Sequence, residues 1–294
     1  MTLNNSSFQL TSTSKILSGL FEQIESRSLG TSVAGLPVNF YDFDAMTQGL
    51  QRGDLIVLGG RPAMGKTSLA LNIAKNMAQI HNLPVCIFTL EMSIEQLTYR
   101  LLSMEVGIET SRLRTGRLQA DEWPYLGEAI ESLGQLPIFI TDKSKITVIE
   151  MIAKCQEIKE QKKSELGLVV IDYLQFMDGI HYSSRDEELS KILIQLKEMA
   201  KLLQVPVIVL SQLSRAVEYR RNKRPMLSDL RETESLESHA DLVTMVYRDE
   251  YYNPETVDRG ITELITCKHR NGPLGTVKLL FEPQFTRFRN IELN

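Results

Sequence analysis

Along most of the chain, short apolar runs alternate with longer stretches in which apolar residues recur every three or four positions. Leu55-Ile56-Val57-Leu58 and residues 84–90, 137–141, 167–172 and 205–210 read as buried strands, rich in Val, Ile, Leu and Phe. Between them, 69–74, 93–102, 123–133, 146–162 and 187–203 carry the helical spacing. Ser93 with Gln96 spells a capping box at one helix start. Such alternation predicts an α/β fold with a mostly parallel central sheet and helices on both faces. Beyond Asp241 the pattern shifts to short strands, and Asn271-Gly272 predicts a hairpin turn. Residues 1–13 are polar and predicted to be a disordered tail. From Ser14, the residues Ile16, Leu17, Leu20, Phe21 and Ile24 fall on one face of a helix that ends at Gly30. That stripe must dock either on its own domain or on a neighbouring subunit, and the pattern leaves both open. The predicted division is a tail (1–13), a docking helix (14–30) and one large domain (31–294).

Candidate chemistry begins where the first strand ends. Gly60-Arg61-Pro62-Ala63-Met64-Gly65-Lys66-Thr67-Ser68 contains G-x-x-x-x-G-K-[ST], with a strand before it and a helix after it. Glycines let backbone N–H groups turn inward around a polyphosphate, and the following helix presents its positive end to it. Lys66 is expected to reach the β- and γ-phosphates and Thr67 to ligate Mg²⁺, which makes a nucleoside triphosphate the expected ligand.

Composition narrows the setting. The 294 residues are 43% hydrophobic and 24% charged, enough for one large core. A net charge of -4 argues against a uniformly basic nucleic-acid coat but leaves room for a local basic groove. Cys86, Cys155 and Cys267 are far apart in apolar surroundings, and the four histidines show no metal-ligand spacing. No apolar run approaches a membrane span, and the N-terminus lacks the regions of a secretory signal, so a reducing, soluble compartment is expected.

Three strand ends carry further candidates. Asp172 closes the most hydrophobic run, at the edge where open α/β sheets bind ligands, and is the expected Mg²⁺ partner. Glu91 ends a second run and could orient or deprotonate an attacking water. Gln212 ends a third and could sense the γ-phosphate. Between Ser211 and Arg231, six cations (Arg215, Arg220, Arg221, Lys223, Arg224 and Arg231) face two acids (Glu218 and Asp229), which suits either single-stranded nucleic acid or a solvated loop. Lys268 and Arg270 project from one side of the predicted hairpin, as a finger for a neighbour's phosphate or as a solvated tip.

Taken with Leu90-Glu91-Met92-Ser93, Arg112-Leu113-Arg114-Thr115-Gly116, Val170-Ile171-Asp172-Tyr173-Leu174-Gln175, Leu210-Ser211-Gln212-Leu213-Ser214-Arg215, residues 223–232, residues 247–252 and residues 268–273, the chain resembles a known family. It is similar to the C-terminal motor domain of bacterial replicative hexameric DNA helicases of the DnaB type, over residues 15–290, with wording nearest to cyanobacterial or plastid versions. The resemblance implies a RecA-like P-loop ATPase fold and a homo-oligomeric ring, usually hexameric, with ATP and Mg²⁺ between neighbours. It implies Glu91 as the catalytic glutamate, Asp172 as the Walker B aspartate, Gln212 as the γ-phosphate sensor, and Lys268 and Arg270 as cations donated in trans. Arg231 and Glu232, with Glu234 beside them, fall in the loop that follows single-stranded DNA, and the helix at 14–28 matches the linker helix that docks on the adjacent subunit.

Two departures qualify the resemblance. The chain begins just before the linker helix, so the family's N-terminal collar domain, which recruits primase, is expected to be absent. The DNA loop, usually Arg-Glu-Ser-Gly-Ser, here reads Arg231-Glu232-Thr233-Glu234-Ser235, and Glu237-Ser238-His239-Ala240-Asp241 replaces Glu-Gln-Asp-Ala-Asp. The expected function is an ATP-dependent helicase motor that translocates on single-stranded DNA and unwinds duplex, with 5′–3′ polarity by resemblance alone. The alternative is a shortened RecA-like DNA-dependent ATPase that binds DNA or a full-length helicase without unwinding. A full-length helicase, primase or loader is the expected partner, no membrane is, and the expected location is a bacterial cytoplasm (nucleoid) or the plastid stroma.

Overall fold

The computed structural model describes residues 11–30, 34–174, 177, 185–230, 236 and 238–292. The expectations for a tail over 1–10 and for Arg231, Glu232 and Glu234 lie outside the described residues. Nine strands form one sheet in the order β3-β2-β4-β5-β1-β6-β7-β8-β9. They are β1 (Leu55–Gly60), β2 (Val85–Thr89), β3 (Ile138–Thr141), β4 (Leu168–Asp172), β5 (Val207–Gln212), β6 (Leu242–Tyr247), β7 (Ile261–His269), β8 (Gly275–Glu282) and β9 (Arg287–Arg289). The pairs from β3 through β6 are parallel, and those from β6 to β9 antiparallel. The α/β expectation holds, with one refinement past Asp241. There β6 extends the parallel part by pairing with β1, and β7 and β8 form a long hairpin rather than short strands.

Both faces of the parallel part are covered, which is why its strands read as continuous apolar runs. Successive side chains on a strand point to opposite faces. On β1, Ile56 and Leu58 accordingly enter one apolar cluster, while Leu55 and Val57 enter the other. Helix α3 (Lys66–His81) lies on the first side, and α8 (Arg185–Leu203) with α7 (Val148–Lys162) on the second. Leu193, Leu196 and Leu203 of α8 are buried, and truncating such a leucine to alanine costs about 2–5 kcal/mol. The helices α4 (Ile94–Val106), α5 (Thr110–Thr115) and α6 (Glu122–Gln135) fill the β2–β3 crossover around a small cluster of Ile108, Leu113 and Leu126.

Local signals acted as their chemistry predicts. Ser93 and Gln96 form the reciprocal cap of α4, Gln96 N–H donating to Ser93 Oγ at 3.2 Å and Ser93 N–H to Gln96 Oε1 at 3.0 Å. Thr147 and Glu150 make a second such box at α7, which the sequence reading passed over. Also missed was α2 (Tyr41–Thr47), too short for a periodic stripe and seated between the paired Leu36 and Leu50. Strand β5 runs two residues past its apolar core because Ser211 and Gln212 stay paired with Gly59 and Gly60.

The N-terminal helix α1 (Thr13–Ser28) buries none of its residues. Ile16, Leu17, Leu20, Phe21 and Ile24 are 43–69% exposed, so the fold-back option is not what the described residues show. No helix among the described residues is long and apolar enough to cross a membrane.

Candidate nucleotide cleft

The carboxyl ends of β1, β2, β4 and β5 meet at a cleft of about 560 Å³. Its floor is the glycine-containing turn from β1 into α3. Gly65 caps that helix at φ 95°, a left-handed conformation that a side chain resists. A β-carbon there would also stand 3.2 Å from the Phe288 ring, and one on Gly60 would stand 3.1 Å from the carbonyl oxygen of Val246. Gly65, Lys66, Thr67 and Ser68 therefore line the cleft with the first turn of α3, where helical N–H groups have no partner within the helix.

Lys66 Nζ lies across this turn, donating to the carbonyls of Gly60 at 2.7 Å and Arg61 at 3.1 Å. Burial lowers its pKa to about 8, against the opposing pull of Asp172 and Glu91. Thr67 Oγ1 donates to Asp172 Oδ2 at 2.8 Å. Burial raises the Asp172 carboxyl to about 6, the Thr67 hydrogen bond working against it. Both buried charges are thus disfavoured as they stand, in directions that an incoming anion at Lys66 and an incoming cation at Asp172 would relieve. The hydroxyl and carboxylate oxygens are hard donors of the kind a small divalent cation takes. The residues fit a polyphosphate with such a cation.

Glu91 and Gln212 also line the cleft. Glu91 is presented by a turn that Thr89 closes, its hydroxyl donating to the Met92 carbonyl at 2.9 Å and accepting from Met92 N–H at 3.1 Å. Gln212 is placed by register, opposite Gly60.

Some predicted residues contribute differently. Met64 is buried in the core, so its side chain faces away from the cleft. Arg61 points aside, donating to Glu218 Oε1 at 2.8 Å and to the Leu213 carbonyl at 2.9 Å, and braces the loop after β5. The basic stretch is partly spent on structure as well. Arg220 forks onto both oxygens of Asp229 (2.9 and 2.7 Å), and Arg224 onto both of Glu263 (2.8 and 2.6 Å). Lys268 and Arg270 are not brought to the cleft. Lys268 pairs with Val243, and Arg270 N–H donates to the Asp241 carbonyl at 2.8 Å. Asp241 N–H in turn donates to Leu55 O, at the opposite end of β1 from Gly60. Along the strands, at about 3.3 Å per residue, Arg270 (level with Leu55) stands roughly 17 Å and Lys268 (level with Val57) roughly 10 Å from Gly60.

The cleft also includes Arg100, Phe281, Pro283 and Thr286, which no motif announced, and Tyr173 and Arg248, which fall in the runs 170–175 and 247–252 but for which the sequence predicts no role. Arg248 lies over the Phe281 ring at 4.8 Å and donates to the Ala63 carbonyl at 3.2 Å. Arg100, on α4, has its pKa lowered by burial, with Asp172 and Glu91 opposing. Asn72 straps the C-terminal wall to α3, donating to Thr286 O at 3.1 Å and accepting from Phe288 N–H at 3.1 Å.

A comparison with known families matches residues 35–290 to the DnaB-like helicase C terminal domain. The chain belongs to this family. Among relatives of this DnaB-like domain, the replicative DNA helicase DnaB of Geobacillus stearothermophilus is 47% identical over 262 residues, covering 88% of this chain and 57% of the relative. The probable replicative DNA helicase of Trieres chinensis is 47% identical over 280 residues, covering 93% and 61%. The chain therefore spans about three fifths of the length of these relatives. Among solved structures, one described as an ATPase domain superposes with a TM-score of 0.91 at 38% identity, covering 97% of this chain and 100% of that one. A DnaB-like replicative helicase described with its primase interactions gives 0.88 at 38% identity, covering 97% and 68%. The RecA-like ATPase fold follows from these likenesses together with the observed sheet.

Proposed function

We propose that this DnaB-like domain is the ATP-driven motor of a replicative DNA helicase, working as a homo-oligomeric ring on single-stranded DNA. The observation that carries the reading is the separation of parts. Lys66, Thr67, Asp172, Glu91 and Gln212 share one cleft, while Lys268 and Arg270 lie on the far edge of the same sheet. A chain with both parts, unable to bring them together by itself, is suited to complete its site with a second copy.

In this reading the first turn of α3 and Lys66 hold the β- and γ-phosphates of ATP, and Arg248 with Phe281 forms a wall beside them. Thr67 and Asp172 would hold Mg²⁺, which when bound neutralises charge on the phosphate oxygens. Glu91 accepts the proton of the attacking water, and Gln212 registers the terminal phosphate at the end of β5. Arg270 and Lys268 of a neighbouring copy neutralise charge that develops on the transferred group. The exposed stripe of α1 docks on that neighbour, and Arg231 and Glu232 follow the DNA backbone, with Glu234 close by. A full-length helicase, primase or loader is the protein partner this implies, in a bacterial cytoplasm or plastid stroma.

The test is strand displacement on a forked duplex alongside DNA-stimulated ATP hydrolysis, with assembled protein and the Glu91→Gln variant. ATP-dependent displacement that Glu91→Gln abolishes is expected. Assembled rings that hydrolyse ATP on DNA yet displace no strand would leave a DNA-dependent ATPase in place of a helicase.

A further inference from the structure

Asp241 has no part in the reading above, yet it organises the edge of the sheet remote from the cleft. It precedes β6 and is 3% exposed. Its Oδ2 accepts from Leu55 N–H at 2.9 Å and from Lys197 Nζ at 2.6 Å; its Oδ1 accepts from Arg270 Nη1 at 2.9 Å. Lys197, on α8, also donates to the Gly53 carbonyl at 2.7 Å and lies 3.6 Å from Asp54. The start of β1, the middle of α8 and the end of β7 therefore meet on one carboxylate.

The manner in which Arg270 is held sets it apart. Arg220 and Arg224 each fork onto both oxygens of a carboxylate, the arrangement of a closed structural pair. Leu55 and Lys197 occupy Oδ2 of Asp241, so Arg270 reaches Oδ1 alone and completes its hold with Nη2 on the Ser238 carbonyl at 3.1 Å. Two of its five N–H donors are used; among the described residues the other three have no acceptor. The Arg270 side chain is 48% exposed.

We propose that Asp241 is the positioning residue for Arg270, fixing one side of the guanidinium so that the other is presented to a phosphate on a neighbouring copy. This rests on the reading of Arg270 as a cation donated in trans. An arginine at the end of a hairpin strand otherwise has many rotamers to lose when it meets its phosphate. Ordering it beforehand removes that cost from the transition state.

Asp241→Asn keeps the shape of the side chain and removes its charge. Its expected signature is nucleotide affinity within twofold of wild type, measured with a fluorescent ATP analogue, and an unchanged KM. Its kcat for DNA-stimulated hydrolysis falls roughly 10- to 100-fold, the scale of a misplaced catalytic group. The double variant Asp241→Asn/Arg270→Ala should be no slower than Arg270→Ala alone, because the aspartate acts through the arginine. Rings mixed with Lys66→Ala subunits, which bring an intact Arg270, should regain turnover. Should Asp241→Asn fail to fold or assemble, Asp241→Glu, which keeps the charge facing Lys197 but shifts the anchor by one methylene, is judged by the same kcat and double-variant criteria. Wild-type kcat, or losses that multiply in the double variant, would overturn the assignment. If Arg270→Ala itself regains nothing in mixtures with Lys66→Ala, the trans reading fails. If it does regain turnover while Asp241→Asn behaves as wild type, only the positioning role fails.

Discussion

At the carboxyl edge of the sheet, Lys66 and Asp172 are buried so that each is pushed toward its neutral form, by way of pKa values of about 8 and about 6. At the opposite edge, the equally buried Asp241 is matched by Lys197 and Arg270 and by a backbone N–H. At the first edge the Thr67 hydrogen bond and the neighbouring charges offset only part of the desolvation. The second has its charges settled internally and turns one face of an arginine outward. In the function proposed above, unrelieved charge marks the receiving side, and satisfied charge with donors to spare marks the presenting side.

Breaking the receiving edge gives the largest effect. Lys66→Ala should abolish ATP hydrolysis by removing the cation at the β/γ-phosphates, while Glu91→Gln should bind ATP and fail to turn it over. Glu91→Gln turnover near wild type, measured by phosphate release, would remove that residue from the role of base. Breaking the presenting edge comes next. Arg270→Ala should bind nucleotide yet lose roughly 10³-fold in turnover, the scale of an arginine finger. Mixed with Lys66→Ala it should recover activity at interfaces that pair an intact cleft with an intact arginine. Strictly additive rates, in rings shown to exchange subunits, would mean that the two edges never meet.

Whether they meet also depends on α1. Phe21→Glu removes the most exposed aromatic of its apolar face. Burying a phenylalanine contributes about 1.5–3 kcal/mol, so subunit association should weaken roughly 10- to 100-fold in analytical ultracentrifugation, with the monomer's melting temperature unchanged. A shift in melting without loss of assembly would return α1 to its own domain. The smallest effect concerns Glu234. A glycine there would let the loop approach a phosphate and would remove a like charge, so Glu234→Gly should tighten single-stranded DNA binding by roughly two- to fivefold and steepen its salt dependence. Equal affinities at two salt concentrations, by oligonucleotide titration, would make Glu234 a structural substitution.

The receiving edge was the more legible in sequence because its parts are local. A strand, a glycine turn and a helix start lie within 55–68, and Asp172 and Glu91 stand where apolar runs stop. Register then does the rest, setting Gln212 beside Gly60. Arg100, Phe281 and Thr286 were not legible, since each is one polar or aromatic residue in an ordinary pattern, and Arg248 stood in a recognised run without a role assigned to it. Phe281 and Thr286 reach the cleft because β8 and β9 fold back onto α3, whereas Arg100 is brought there by α4. At the presenting edge, the spacing of Lys268 and Arg270 was visible, but nothing near Asp241 in sequence foretold Leu55 and Lys197 as its partners. The same distance effect misled the basic stretch, where Arg224 finds Glu263 only through the fold.

The placement of the cleft and Arg270 on opposite edges of one sheet also constrains symmetry. If Arg270 of one copy serves the cleft of the next, each interface joins two different surfaces, so no two-fold axis can relate the copies across it. A dimer built this way leaves one cleft and one arginine unmatched, whatever its affinity. Only adding copies in a single rotational sense satisfies them all, as a closed ring if the rotation per copy divides a full turn and as a helical filament if it does not. The number of subunits is then a property of that angle, which neither edge encodes by itself.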